Sequence, residues 1–313
     1  MSSMPVILQE IAAKAQIRHE ICRSLHSFGF GSPAPPRLAL INCTELTPLE
    51  ATLTVLDTRT LTTTDQPAPA RTPRTRRYLM CSPQYFEVTY AINPWMNTSV
   101  PVDVERAQLQ WEVLRNTYLS LGHQVDLIDP LPGQPDMVFA ANGGLVVGGR
   151  AYGAKFRFPE RGAEGMAYAT WLGTLGVSVA EPVEINEGEG DFLTLRSMIL
   201  AGTGFRTSLA AHIEAANVLD RAVVSLELVD PRFYHLDTAI AVLDDGNGTA
   251  PADIAYFPGA FSRHSRRTLR DLFPDAIIVS EQEACVLALN AVSDGHHVIL
   301  PSAATGFSAS RKA

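Results

Sequence analysis

The chain has 313 residues, 46% of them hydrophobic and 19% charged, with a formal net charge of −8. That length allows one large or two ordinary globular domains around a sizeable core. The acidic balance argues against nucleic acid or an anionic membrane surface as a partner.

Residues 1–76 form an N-terminal extension with a character of its own. Ile7, Leu8, Ile11, Ala15, Ile21 and Leu25 recur at helical spacing and predict one amphipathic helix over about 6–28, broken by the Gly- and Pro-rich residues 29–36. Residues 51–56 suit a strand, and 58–76, rich in Thr, Pro and Arg, suit a flexible linker.

From Arg77 onward, over 77–313, the pattern alternates short apolar runs with helical ones. A strand over 77–81 ends in a Pro turn, and an apolar loop carrying Asn93 follows. A helix over 102–121 is predicted from Val104, Leu109, Trp111, Leu114, Tyr118 and Leu121, with Gly122 as its cap. A strand over 125–128 leads into 134–147, expected as a strand with Asp136 and Asn142 at its ends and a break at Gly143-Gly144. A hairpin over 145–154, a helix over 159–175 and a strand over 177–180 come next. The Gly-rich loop 186–191 precedes a strand pair over 192–201, a helix over 208–222 and strands over 223–228, 235–243 and 254–257. A helix over 262–272, a strand over 276–279 and a last strand pair, 287–291 with 298–301, complete the chain.

Two strands, a helix and a strand thus recur at a period of about 50 residues, which points to a radially repeated α/β architecture. A doubly wound sheet competes, but it predicts fewer hairpins, and no Gly-rich dinucleotide fingerprint follows the first strand. The cysteines Cys22, Cys43, Cys81 and Cys285 are scattered, without a CxxC pair or a His-rich metal spacing. That usage suits a reducing compartment and offers neither a disulfide framework nor a zinc site. No apolar run approaches a membrane span and no secretion signal opens the chain, so a cytoplasmic protein is expected.

Polar residues interrupt the apolar strands at corresponding ends: Asp136 with Asn142, Glu187 with Asp191, and His235 with Asp237. In a radial repeat such ends converge on one axis, and an acid with an amide can grip a planar multi-donor cation. On a strand, His235 and Asp237 would face one side. The competing readings are ordinary ones: Asp136 capping a turn, a solvated Glu187–Asp191 loop, a satisfied core histidine. Likewise Arg161 with Glu164 suits either an exposed ion pair or a pocket wall, and Arg206 suits either a solvated position or an anion contact at a helix start.

As an ordered set, Pro135-Asp136-x-x-Phe139-x-x-Asn142, Arg161-x-x-Glu164, the Glu187–Asp191 loop, Gly204-x-Arg206-Thr207, His235-Leu236-Asp237-Thr238 and Leu289-Asn290 resemble the guanidine-modifying (amidinotransferase, or pentein) superfamily, with its arginine deiminases, arginine dihydrolases and dimethylargininases. The resemblance runs from Arg77 to the C-terminus. It implies a five-bladed α/β propeller with the substrate on its axis and no cofactor. It also implies a cysteine thiolate that attacks the guanidinium carbon while a histidine, matching His235, shuttles protons. Acids matching Asp136, Glu187 and Asp237 would hold the guanidinium or orient the histidine, and Arg161 and Arg206 would hold the substrate carboxylate. Asp191 belongs to the same acid loop.

Asn142 stands where deiminases carry Asp and in that resembles the dihydrolases, as does the motif around Asn93. An acid at Asp237, where dimethylargininases commonly lack one, implies an unmethylated guanidinium. The family's nucleophile lies near the C-terminus, and none of the four cysteines matches it, so the last propeller unit is expected to be truncated. Cys285 is expected in the core. The expected partner is a small guanidine, arginine or methylarginine, with a homo-oligomer left open. The alternative of another class is a non-catalytic pentein-fold binding protein or a truncated remnant.

Overall fold

The computed structural model describes residues 6–8, 53–57, 72–246, 251–304 and 306. In chain order the elements are β1 (Val6–Leu8), β2 (Leu53–Asp57), β3 (Arg77–Cys81), α1 (Val104–Ser120), β4 (Gln124–Ile128), β5 (Gly144–Val147), β6 (Arg150–Gly153), α2 (Gly162–Thr174), β7 (Ser178–Ala180), β8 (Phe192–Thr194) and β9 (Ile199–Thr203). They continue with α3 (Leu209–Leu219), β10 (Val223–Glu227), β11 (Ile240–Asp244), β12 (Asp253–Tyr256), α4 (Arg263–Leu272), β13 (Ile277–Ile278), α5 (Glu281–Cys285), β14 (Val292–Ser293) and β15 (His297–Pro301).

The strands form five three-stranded sheets, ordered β1-β3-β4, β5-β6-β7, β8-β9-β10, β11-β12-β13 and β14-β15-β2. Three of these share one plan: an antiparallel hairpin, then a crossover helix that returns the chain to a parallel third strand. A parallel neighbour demands such a crossover, and α2, α3 and α4 supply it. The predicted repeat of two strands, a helix and a strand is this unit. In the last sheet the outer position beside β15 is taken by β2, which runs antiparallel with Val55 opposite Ile299.

The helices begin where a short polar side chain can satisfy a free backbone donor. The Asp103 carboxylate accepts from Arg106 N at the start of α1, Ser208 from Ala211 N at α3, and Ser262 from Ser265 N at α4. One face of α1 is buried through Ala107, Trp111, Leu114 and Tyr118, which stack with Tyr78 and Met80 of β3. Leu109 and Val104, counted on that face from their spacing, point outward, Leu109 being 62% exposed. Between the second sheet and α2, Tyr168 and Leu172 pack on Ala151, Val146 and Ala141.

Several expectations are corrected here. Val6–Leu8 is a strand, paired in parallel with β3, where a helix over 6–28 was expected; the rest of that helix lies outside the described residues. Of the expected linker, 58–71 also lies outside them, whereas 72–76 is held: Arg74 N donates to Asp294 O, and its guanidinium pairs with Asp244 and Asp245. The segment from Asp136 to Asn142 is no strand but two short 3-10 turns, Pro135–Val138 and Ala140–Gly143, because Pro135 starts a turn that Phe139 N closes onto Asp136 O. Leu236–Thr238 is likewise a 3-10 turn, and the strand starts only at Ile240. The strand expected over 287–291 is a turn, in which Leu287 takes φ 59°, following the short helix α5 capped by Ser280. Strand pairing resumes at Val292 opposite Ile299.

Helix α2 approaches β6 closely enough that a Cβ on Gly165 would lie 2.4 Å from the Ala154 carbonyl oxygen. Gly165→Ala is therefore expected to destabilise the fold by about 1–3 kcal/mol, as overpacked positions do; a urea titration with an unchanged midpoint would show that the helix can shift freely.

Candidate functional site

The side chains singled out by the sequence occupy two kinds of connection. Asp136 and Asn142 lie between β4 and β5, Glu187 and Asp191 between β7 and β8, and His235 and Asp237 between β10 and β11, where the chain passes from one sheet to the next. Arg161 lies ahead of α2, Glu164 in its first turn and Arg206 ahead of α3, where a middle strand leads to its crossover helix. Because β6 and β7 are parallel while β5 is antiparallel, Gly144 at the start of β5 faces Gly153 at the end of β6. Both kinds of connection therefore open at the same end of the sheet, and the next sheet repeats this geometry.

His235 is 1% exposed. Its Nδ1 lies 3.2 Å from Oδ2 of Asp191, and its Nε2 lies 3.3 Å from Oε2 of Glu187 and 3.4 Å from Nδ2 of Asn142. With a carboxylate at each nitrogen, the doubly protonated ring is the form that satisfies both neighbours. Burial pushes the imidazolium toward losing its proton, but Asp191 and Glu187 outweigh burial and hold His235 at about 9. Glu187 answers in the opposite sense: burial would raise it, yet His235, Arg206 and Arg161 hold it down at about 2.

Around this pair the remaining groups interlock. Arg206 reaches both Glu187 oxygens from one nitrogen, at 2.9 and 3.2 Å, and donates from the other to the Ile92 carbonyl at 3.0 Å. Its guanidinium lies between the rings of Phe158 and Tyr234, 4.7 and 4.8 Å from their centroids. The Thr207 hydroxyl accepts from Glu187 N at 3.0 Å and donates to Asp191 Oδ2 at 2.7 Å, tying both acids to one side chain. Asp191 Oδ1 accepts from Leu236 N at 3.1 Å and so fixes the His235 turn. A Cβ on Gly190 would meet Asn142 Nδ2 at 2.2 Å, so only glycine lets the acid loop come this near the amide.

Arg161, expected as an exposed pair with Glu164 or a pocket wall, is buried. It meets Glu164 in a two-pronged contact at 3.0 and 2.7 Å, and it donates to Asn142 Oδ1 at 2.8 Å and to the Asp136 carbonyl at 3.1 Å. Burial pushes Glu164 up to about 7 against the pull of Arg161. These donors of Arg161 and Arg206 address protein acceptors. Asp136 is 2% exposed and accepts the Tyr90 hydroxyl at Oδ2, 3.0 Å away.

Asp237 sits apart from these contacts. The 3-10 turn removes the alternation that would have aimed it alongside His235, and its Oδ2 instead accepts from Asn290 Nδ2 at 2.8 Å. Asn93, in the connection between β3 and α1, caps its own turn by accepting from Trp95 N at 2.9 Å, while the neighbouring Ile92 carbonyl makes the contact to Arg206. Tyr90 and the two bonds of Thr207 were not anticipated. Thr207 stood inside a recognised motif, and Tyr90 stood in an apolar loop whose only signal was an aromatic hydroxyl among apolar residues. Among the described residues no group of three or more His, Cys, Asp or Glu side chains is arranged to hold a metal ion, and no helix is long and apolar enough to cross a membrane.

The chain belongs to the guanidine-modifying superfamily, in the branch that holds dimethylargininases and arginine dihydrolases. It is 56% identical over 243 residues to the N(G),N(G)-dimethylarginine dimethylaminohydrolase of Mycobacterium tuberculosis, covering 78% of each chain. It is also 40% identical over 231 residues to the bifunctional arginine dihydrolase/ornithine cyclodeaminase ArgZ of Synechocystis, covering 72% of this chain and 32% of that one. Among solved structures, the substrate-bound N-terminal domain of ArgZ, a cysteine-to-serine variant, is similar with a TM-score of 0.64 and 39% identity, over 69% of this chain and 80% of that one. The dimethylargininase of Pseudomonas aeruginosa shares the fold, with a TM-score of 0.57 at 15% identity over 71% of this chain and 82% of that one. No protein-family model matches the chain.

The ionisations of the cluster set how stability varies with pH. His235, raised from 6.5 to about 9, contributes stability that is complete below about pH 6.5 and lost as pH rises through 9. Glu187, lowered from 4.5 to about 2, contributes stability complete above about pH 4.5 and lost as pH falls through 2. Glu164, raised to about 7, adds a loss of its own between 4.5 and 7. Urea unfolding across pH should therefore show a decline between pH 6.5 and 9 that His235→Gln removes; a decline of the same shape in the variant would assign it elsewhere.

Proposed function

We propose that the chain binds the guanidinium of arginine or an N-methylated arginine, and that its acid–imidazole cluster is that of a hydrolase acting on the guanidinium C–N bond. The carrying observation is the buried acid–imidazole cluster: His235 lies between Glu187 and Asp191, with Asp136 a further acid that is only 2% exposed. A guanidinium offers both the charge and the planar donors that carboxylates accept. We infer that the five sheets are blades of a propeller with this cluster on its axis, supported by the shared opening of the connections.

In this reading Asp136 receives the guanidinium N–H groups. His235, protonated between Glu187 and Asp191, donates its proton to the amine as the C–N bond breaks and recovers one from the water whose oxygen takes the amine's place on carbon. Glu187 and Asp191 hold the ring at both nitrogens, Arg206 and Thr207 hold the two acids, and Asn142 links Arg161 to the His235–Glu187 edge. Asp237, half-buried and bonded to Asn290, bears on the choice between unmethylated and methylated ligands. The relatives point both ways, one acting on dimethylarginine and another on arginine.

A second reading, binding without turnover, is favoured by the cysteines. Among the described residues they are Cys81 and Cys285. Burial pushes the Cys81 thiol up to about 12, which removes it as a nucleophile at neutral pH. Cys285 meets the Arg232 guanidinium at 3.5 Å, and neither sulfur is among the groups within hydrogen-bonding reach of His235.

Calorimetric titration with arginine and with dimethylarginine, run beside assays for ammonia, dimethylamine, citrulline and ornithine, separates the readings. Binding with amine release supports the hydrolase, binding without release supports the second reading, and no binding of either ligand rejects both. Asp136→Asn is expected to weaken arginine by about 30- to 150-fold, the equivalent of losing a charged hydrogen bond of about 2–3 kcal/mol.

A further inference from the structure

The segment between β3 and α1 contains a single 3-10 turn, Pro83–Tyr85, yet three of its residues reach three other parts of the site. Tyr90 donates its hydroxyl to Asp136 Oδ2 at 3.0 Å, Ile92 presents its carbonyl to Arg206 at 3.0 Å, and Trp95 Nε1 donates to the Arg232 carbonyl at 2.8 Å. Of these contacts, only that of Tyr90 falls on a side chain assigned above to the guanidinium.

We propose that Tyr90 is a positioning residue for Asp136: its hydroxyl fixes the orientation of that carboxylate and favours its charged form, so that a cationic ligand meets a preset, ionised acceptor. The inference rests on the function proposed above. A phenol suits this task because it donates without bringing charge. A neutral donor stabilises the anion without adding a second positive charge to that of Arg161, which already acts on Asp136. A carboxylate has about four lone-pair sites on its two oxygens, so one phenolic donor does not exhaust its capacity for guanidinium N–H groups. The phenol itself stays protonated, because burial, and after it the charge of Asp136, hold its ionisation well above the ordinary range. Tyr90 is thereby a donor at neutral pH, and phenylalanine fits the same half-buried position.

The consequence is a pH signature. Removing that hydrogen bond disfavours the ionised carboxylate, so Tyr90→Phe should weaken arginine binding about tenfold at pH 7 and move the acidic limb of affinity upward, in a site where Arg161 and Glu164 also face Asp136. The experiment is calorimetric titration of L-arginine, at up to millimolar concentration, from pH 4 to pH 8, on wild-type, Tyr90→Phe, Asp136→Asn and the double variant, with melting temperatures recorded for each. The expected result is a displaced acidic limb in Tyr90→Phe and no further effect of that change when Asp136 is already Asn, because the hydroxyl acts through the carboxylate. Unchanged affinity and an unchanged limb in Tyr90→Phe overturn the inference. So does a loss that is uniform with pH and additive with Asp136→Asn, since that is how a purely structural residue behaves. A wild-type protein that binds arginine at no pH rejects the proposed function, and this inference falls with it; a wild-type protein that binds, with a silent Tyr90→Phe, rejects the inference alone.

Discussion

The Glu187 carboxylate is the point on which the site depends. It is fully buried, and it lies within ion-pair distance of Arg206, His235 and Arg161 at 2.9, 3.3 and 4.0 Å. An isolated carboxylate at such depth would cost several kcal/mol and would be protonated instead. Three cationic neighbours reverse that outcome and keep it ionised, and in return it helps keep His235 protonated. Each favours the charged form of the other, with Asp191 acting on His235 and the two guanidiniums on Glu187. The chemistry and the stability of the site are therefore one property, in the sense that removing a member leaves an uncompensated charge behind.

The architecture supplies these neighbours by repetition. Each of the three sheets built on a hairpin and a crossover helix delivers one turn where the chain leaves for the next sheet and one where it enters that helix, and parallel return strands bring both turns to the same end. Glu187 and Asp191 come from one such turn, Arg206 and Thr207 from the next, His235 from the one after. The short 3-10 turns matter because they aim side chains inward without the alternation that a strand would impose. Thr207 illustrates the economy of the arrangement: one hydroxyl accepts from the backbone of the first acid and donates to the side chain of the second.

Kinship with a dimethylargininase and with an arginine dihydrolase agrees with a site rich in buried acid, but the two relatives differ in the ligand they are named for. Under the proposed function the cluster around His235 would serve either leaving amine, and the choice of ligand would fall to Asp136 and Asp237, where the number of N–H groups on the ligand decides how many acceptors are satisfied.

Much of this was legible in the chain itself. Periodicity of two and of 3.6 located the β5–β6 hairpin, helices α1 to α4 and the strands that follow them, because amphipathic elements must show their buried face in the sequence. The ordered motifs named the superfamily and most of the side chains that the fold gathers around His235. What periodicity could not give were the turns: Pro135–Val138 and Leu236–Thr238 adjoin apolar segments and were expected as strand, but local hydrogen bonds make them 3-10. Nor could it give the partners. Asn142 meets Glu187 and His235 across 45 and 93 residues of chain, and Arg161 addresses Glu164 and the Asp136 carbonyl where a ligand carboxylate was expected. Local pattern determines which face of an element is buried; which charge lies against which in the interior is decided by how the sheets come together, since the cost of burying a charge is met only by a partner at contact distance.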